Sequence, residues 1–330
     1  MTQLCRSCHK KFDKADTSKA REALAKNMQK QNWQARISPT LGDLESTHDK
    51  IWGTKPYEND TDPTVFMGIY GLPDFYTLWR HKGEKHILWC GTDIIHFQNG
   101  YWLDTKGDYR IGSRSLARWI NKFCSNWVEN KVEAEALMKE GIHANIQPSY
   151  LGDIDEMQVS FKPGNKVYAS VSGDNFEQYG WDKIPNLARE NPGMEFHLYG
   201  NMLSPLSLAV ELDTDKFRVR HFPENVIIHG RVPKEQMNAE IAEMQGGLRM
   251  TEFDGASEIV VKAMLMGQYC FSLIEYPFVD KPENISLLLS RKTANIEGRN
   301  WWRENLNLYP WNAKRNIHKN KASLEQDKSL

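Results

Sequence analysis

The part of this 330-residue chain best equipped for chemistry runs from Arg249 to Gly267. It reads Arg249-Met-Thr-Glu-Phe-Asp254-Gly255-Ala-Ser257-Glu258 and continues into an apolar stretch that contains Lys262. The pattern predicts a short strand, a loop holding Asp254 and Gly255, and a helix that Ser257 can cap, with Lys262 about two turns in. A strand-loop-helix unit of this kind aims a helix N-terminus and unpaired backbone N–H groups at an anion. Two other loops share the setting. Val171-Ser172-Gly173-Asp174 has small residues that admit close backbone approach. His229-Gly230-Arg231-Val232-Pro233 ends a strand in Gly-Arg and puts a proline near a helix start. Arg231 suits a phosphate or a nucleobase, and equally an ordinary solvated surface.

A second group of reactive side chains lies at the N-terminus, where Cys5-Arg6-Ser7-Cys8-His9 matches C-x-x-C-H. The chain shows no apolar signal region, which disfavours covalent haem attachment. The same pair resembles the first knuckle of a zinc ribbon, with Cys5 and Cys8 as thiolate ligands. No second C-x-x-C follows, so His9, Asp13, Asp16 or His48 would have to complete a zinc site. The other reading is a leader without metal. The five cysteines form no evident disulfide framework and fit reduced thiols in a reducing compartment.

Composition sets the class. Apolar residues at 40% and charged residues at 26% are ordinary for a globular protein, which excludes disordered, fibrous and membrane-spanning types. Residues 259–278, the longest apolar stretch, are interrupted by Lys262, Gln268 and Glu275. A cytoplasmic protein with no transmembrane segment is expected. Charge is uneven: residues 1–36 carry nine Lys/Arg against three Asp/Glu, and residues 291–330 carry nine against four. The net charge of −1 then leaves the body acidic. Basic ends could touch a polyanion, or be solvated termini.

From residue 64 the chain alternates between strand and helix patterns. Strands are expected at 64–70, 86–90, 124–128 and 142–148, and helices at 72–81, 116–123 and 131–140. After a turn-rich stretch at 151–165 the alternation resumes, with strands at 166–172, 194–199, 226–229, 247–250 and 269–274. Helices are expected at 181–190, 234–244 and 257–266. This order implies two parallel α/β domains. Residues 1–50 then form a basic leader, 51–160 an N-terminal domain, 161–290 a C-terminal domain, and 291–330 a final helix and basic tail. The aromatic residues Trp301, Trp302, Tyr309 and Trp311 read as core packing across the junction or as a stacking surface.

The run G-R-V-P-x-E-x-M at 230–237, then D-G-x-S-E at 254–258, then A-M-x-x-G at 263–267 is similar to the donor domain of the GT-B glycosyltransferases, in particular the retaining, group 1-like members. Cys90-Gly91-Thr92-Asp93 likewise resembles a strand-end segment of their N-terminal domain. The resemblance covers roughly residues 64–280. It implies two Rossmann-like domains facing a central cleft and transfer of a sugar from a UDP- or GDP-sugar, with no cofactor or metal needed. It assigns Asp254 to the sugar and Asp93 to the acceptor side. Donor contacts fall to Ser172, Gly173, Arg231, Val232, Arg249, Gly255, Ser257, Glu258 and Lys262.

Lys262 departs from the pattern, which has a carboxylate there to accept the ribose hydroxyls; an ammonium only donates. Glu258 one turn earlier can supply the acceptor, Lys262 can meet a phosphate, or donor binding is altered. The acceptor is a glycan, a small molecule, a protein or a modified DNA base. A binding protein of GT-B architecture without turnover is the alternative of a different class.

Overall fold

The computed structural model describes residues 33–44, 52–98, 113–172, 179–180, 183–201 and 222–312. The chain divides into two units: Met1–Gly152 together with Asn307–Leu330, and Asp153–Leu306.

In the first unit the strands are β1 (Gln34–Ile37), β2 (Lys55–Pro56), β3 (Thr64–Met67), β4 (Lys85–Leu88), β5 (Cys124–Val128) and β6 (Asn145–Ile146). They pair in the order β2-β1-β3-β4-β5-β6, all parallel. The intervening helices are α1 (Leu72–Arg80), α2 (Thr92–Gln98), α3 (Ser113–Phe123) and α4 (Lys131–Lys139). Strands covered on both faces read as continuous apolar runs, and β3 is buried at all four positions. β1 and β2 are additions to the sequence reading. A four-residue strand and a two-residue strand are too short to show a period.

The C-terminal segment supplies much of this unit's core. Tyr309 and Trp311 are fully buried and stack at 4.5 Å among Trp33, Trp52, Val65 and Leu88. Asn307 fastens the segment by pairing with the main chain of Tyr150, accepting from its N–H and donating to its carbonyl, each at 2.8 Å. The Tyr309 hydroxyl donates to the Gln147 carbonyl at 2.6 Å. These aromatics therefore serve the core of the first unit and stand outside the final helix.

In the second unit the strands are β7 (Lys166–Ser172), β8 (Glu195–Asn201), β9 (Val226–Gly230), β10 (Gly246–Arg249) and β11 (Tyr269–Ser272). Their order is β11-β10-β7-β8-β9, again all parallel. The helices are α5 (Ile184–Glu190), α6 (Lys234–Ile241), α7 (Glu258–Leu265) and α8 (Ile296–Asn305). From β7 the chain builds outward to β9, then returns to the other side of β7 with β10 and β11. The reversal makes the gap between β7 and β10 a topological switch point, the place where parallel α/β sheets hold ligands beyond their strand ends.

α7 is apolar nearly all round because it is enclosed nearly all round. Every residue from Ile259 to Leu265 is buried. Its approach to the sheet depends on glycine: a Cβ at Gly247 would sit 3.0 Å from Ile259 Cγ2 and 3.1 Å from Ala263 Cβ. On α8, a Cβ at Gly298 would meet Met264 Cε at 2.5 Å. α7 is thus clamped between β10 and α8, and its N-terminus is fixed at the switch point.

Candidate functional site in the second unit

The loop that follows β10 begins with an ion pair whose arginine is buried. Arg249 Nε lies 2.8 Å and Nη2 2.6 Å from Asp254 Oδ2, while Nη1 donates to the Ser170 carbonyl of β7 at 3.0 Å. Its guanidinium lies over the Tyr179 ring, 4.8 Å from the centroid. Arg249 is 8% exposed, so most of its charge is spent inside the protein. Its role is to join β10, the end of β7 and the acidic loop. The Asp254 side chain keeps 27% of its surface open, so its carboxylate is both held and accessible. Chemically it is an oriented hydrogen-bond acceptor at the switch point.

The surrounding loop is tied down as well. Tyr276 donates its hydroxyl to the Gly255 carbonyl, and Thr251 Oγ1 donates to the Phe253 carbonyl at 3.1 Å. Gly180 has φ of 70°, and a Cβ there would lie 2.1 Å from the Met250 carbonyl oxygen. Only glycine lets this segment lie against the end of β10. Tyr179, Tyr276 and Gly180 escape the sequence reading because each acts through a non-local contact; only the aromatic-glycine pair at 179–180 hints at a close approach.

Ser257 is buried and makes no side-chain capping bond to α7. The first N–H groups of any helix lack partners within it, so this N-terminus can receive an anion. Glu258 is exposed and Lys262 is buried, and they pair at 2.9 Å across one turn. Lys262 Nζ also donates to Asn238 Oδ1 of α6 at 2.8 Å. The ammonium therefore faces protein acceptors, and its effect is to hold the solvent-facing Glu258 carboxylate in place. Lys262→Glu would set two carboxylates together, one of them buried. We expect it to destabilise the protein by about 3 kcal/mol, measured by denaturant unfolding, whereas Lys262→Met should cost clearly less. Equal costs would show that the pairing is immaterial.

Ser172 ends β7, opposite Asn201 of β8, at the same sheet edge as Arg249. Arg231 is exposed and Val232 half-buried just after Gly230, whose φ is 72°. They also stand at the carboxyl edge of the sheet, but β9 is three strand spacings from β10, about 14 Å. The structure thus joins Arg249, Asp254 and Gly255 directly, and Glu258 with Lys262, and places Arg231 and Val232 farther along one edge. Gly173, Cys5 and Cys8 lie outside the described residues, as do His9, Asp13, Asp16 and His48.

Asp93 belongs to the first unit and is fully buried in the first turn of α2. Its Oδ2 accepts from Ile69 N and its Oδ1 from Cys90 N, both at 2.9 Å. The carboxylate thereby staples the loop after β3 to the loop after β4, and both of its oxygens are engaged by main-chain N–H groups. Burial pushes its pKa up from 3.8 to about 6 against those hydrogen bonds. A raised folded-state value adds stability that is complete below pH 3.8 and lost as the pH climbs through 6. We expect the parent to lose about 3 kcal/mol relative to Asp93→Asn across that window, from paired unfolding curves. A pH-independent difference would contradict the shift.

No protein-family model and no curated protein matches the chain. Solved structures do match in fold. Sucrose-phosphate synthase from Thermosynechococcus elongatus aligns over 94% of this chain and 80% of its own, at 9% identity and a TM-score of 0.53. Anabaena HepE in complex with UDP aligns over 90% of this chain and 99% of its own, at 12% identity and a TM-score of 0.50. S. aureus TarM aligns over 84% of this chain at 13% identity and a TM-score of 0.46, and this chain spans just over half of it, 54%. Identity this low speaks to architecture. Two all-parallel Rossmann-like α/β units, aligning with 80% of sucrose-phosphate synthase and 99% of HepE, give this chain the GT-B fold.

Proposed function

We propose that the protein is a glycosyltransferase that moves a sugar from a nucleotide-sugar donor, a UDP- or GDP-sugar, to an acceptor hydroxyl or amine. The observation that carries this reading is Asp254, an accessible carboxylate held by Arg249 at the switch point between β7 and β10. Such a carboxylate accepts hydrogen bonds from sugar hydroxyls, and the N-terminus of α7 beside it suits a diphosphate. HepE, whose fold this chain shares, was solved with UDP.

In the reaction the bond from the anomeric carbon to the diphosphate oxygen breaks through an oxocarbenium-like state, the bond to the acceptor forms, and the acceptor's proton passes to the leaving diphosphate. Charge gathering on the leaving diphosphate is met by Arg231, Ser257 and the first N–H groups of α7, with no metal required. Arg249 acts through Asp254 as a positioning residue. Glu258, oriented by Lys262, supplies the acceptor for the ribose that the departure at position 262 otherwise removes. We propose retention at the anomeric carbon. In support, His86, His197 and His229 have both ring nitrogens engaged by protein groups and are poorly placed to serve as a base.

Incubation with UDP-, GDP- and dTDP-sugars, with and without EDTA, tests the reading. One of them should raise the unfolding temperature and be slowly hydrolysed, with the same rate in EDTA and the anomer retained by NMR. Protection without hydrolysis or transfer would assign a binding protein instead. No response to any nucleotide sugar would remove both.

A further inference from the structure

The first unit carries an apolar surface that none of the preceding chemistry uses. An open groove of about 640 Å³ runs between α1 and α3, with Pro73, Phe75, Leu116 and Trp119 among its walls. Its lips are large side chains facing solvent: Leu72 is 46% exposed, Tyr76 56% and Trp79 54%, and Phe123 at the end of α3 is 47% exposed. The aromatic rings form a continuous path, Phe75 to Trp119 at 5.6 Å and Trp119 to Phe123 at 5.4 Å. A patch of this kind marks a contact surface.

Among the described residues of α1 and α3, the exposed charges are basic. The Arg80 guanidinium lies over the Tyr76 ring at 5.6 Å, and Lys122 Nζ over the Phe123 ring at 5.1 Å. Arg118 donates to Ser115 Oγ at 3.4 Å on the groove wall. α3 has no acidic residue in its sequence, and the one acid of α1, Asp74, is buried and paired with Arg36. α3 is therefore a basic amphipathic helix beside a helix that exposes Tyr and Trp, the composition that settles at the boundary between lipid headgroups and acyl chains. A second copy of the chain on a two-fold axis would bring Arg80, Arg118 and Lys122 against themselves. The scarcity of polar atoms in the groove also disfavours a glycan or a nucleic-acid base.

We propose that this face of the first unit docks on an anionic membrane surface, with Leu72, Tyr76, Trp79 and Phe123 entering the headgroup layer and Arg80, Arg118 and Lys122 pairing with lipid phosphates. No described helix is long and apolar enough to cross a membrane, and this contact requires none. The surface belongs to the first unit and the Arg249–Asp254 site to the second, and the proposal does not depend on the function proposed for that site.

Sedimentation of the full chain with vesicles tests the proposal, comparing equimolar phosphatidylglycerol and phosphatidylcholine with phosphatidylcholine alone. Binding is expected to the anionic vesicles, weakened by high salt. It should fall about fivefold or more in Trp79→Ser and in the double variant Arg118→Glu with Lys122→Glu. These side chains are exposed, so unchanged thermal unfolding should accompany the loss; if Trp79→Ser misfolds, the charge reversal decides alone. Absence of binding by the parent, or undiminished binding by the folded variants, overturns the proposal. A parent dimer in size-exclusion chromatography that Trp79→Ser dissociates, with no vesicle binding, would give the groove to a second copy instead.

Discussion

Asp254→Asn is expected to lower kcat/KM for the nucleotide-sugar donor about 100-fold or more, a loss of roughly 3 kcal/mol in the transition state. The substitution keeps the side-chain shape but removes the charge that both Arg249 nitrogens grip at 2.8 and 2.6 Å. An amide is a weaker acceptor for a sugar hydroxyl, and it leaves a largely buried guanidinium without its counter-ion. The variant should still bind the free nucleotide within about twofold, because the diphosphate is assigned to α7 and Arg231 rather than to Asp254. That split separates a sugar contact from general damage. Unchanged turnover would show that a different acid holds the sugar, and equal loss of free-nucleotide binding would show that the loop had collapsed.

Trp311→Ala is expected to have the largest effect on stability, about 3–5 kcal/mol, with the unfolding temperature lowered by about 10 °C. Trp311 is fully buried, stacks on Tyr309, and lies 6.1 Å from Trp52, 6.3 Å from Trp33 and 5.7 Å from Trp127 by ring centroids. Removing the indole opens a large cavity in a core whose other walls are rigid rings with little freedom to collapse inward. Thermal unfolding followed by calorimetry checks this. A shift below about 2 °C would mean that the segment after Leu306 is peripheral to the first unit.

The local elements were largely legible in the chain. β7 occupies the residues 166–172 that its alternation predicts, and helices 72–80 and 131–139 differ from expectation by one residue at an end. Those segments follow a period that burial on a parallel sheet or against it imposes directly on residue type. β1 is different: its four residues show no period, and its core neighbours include Tyr309 and Trp311, far along the chain. The expectation of a final helix holds for residues 296–305 alone. The two aromatics beyond it fill the core of the other unit, a placement that depends on what surface is left uncovered there.

At the candidate site the division is the same. Sequence alone determined that Asp254 and Gly255 follow a strand and precede a helix, because that order is covalent and local patterns report it. It also located the departure at Lys262. Only the tertiary structure decided what those residues touch: that Arg249 faces Asp254 inside the protein, that Lys262 is buried against Glu258 and Asn238, and that Asp93 is spent on backbone N–H groups. Strand order decided these contacts. Placing β10 beside β7 joins residues some eighty positions apart, and no local period encodes such a pairing.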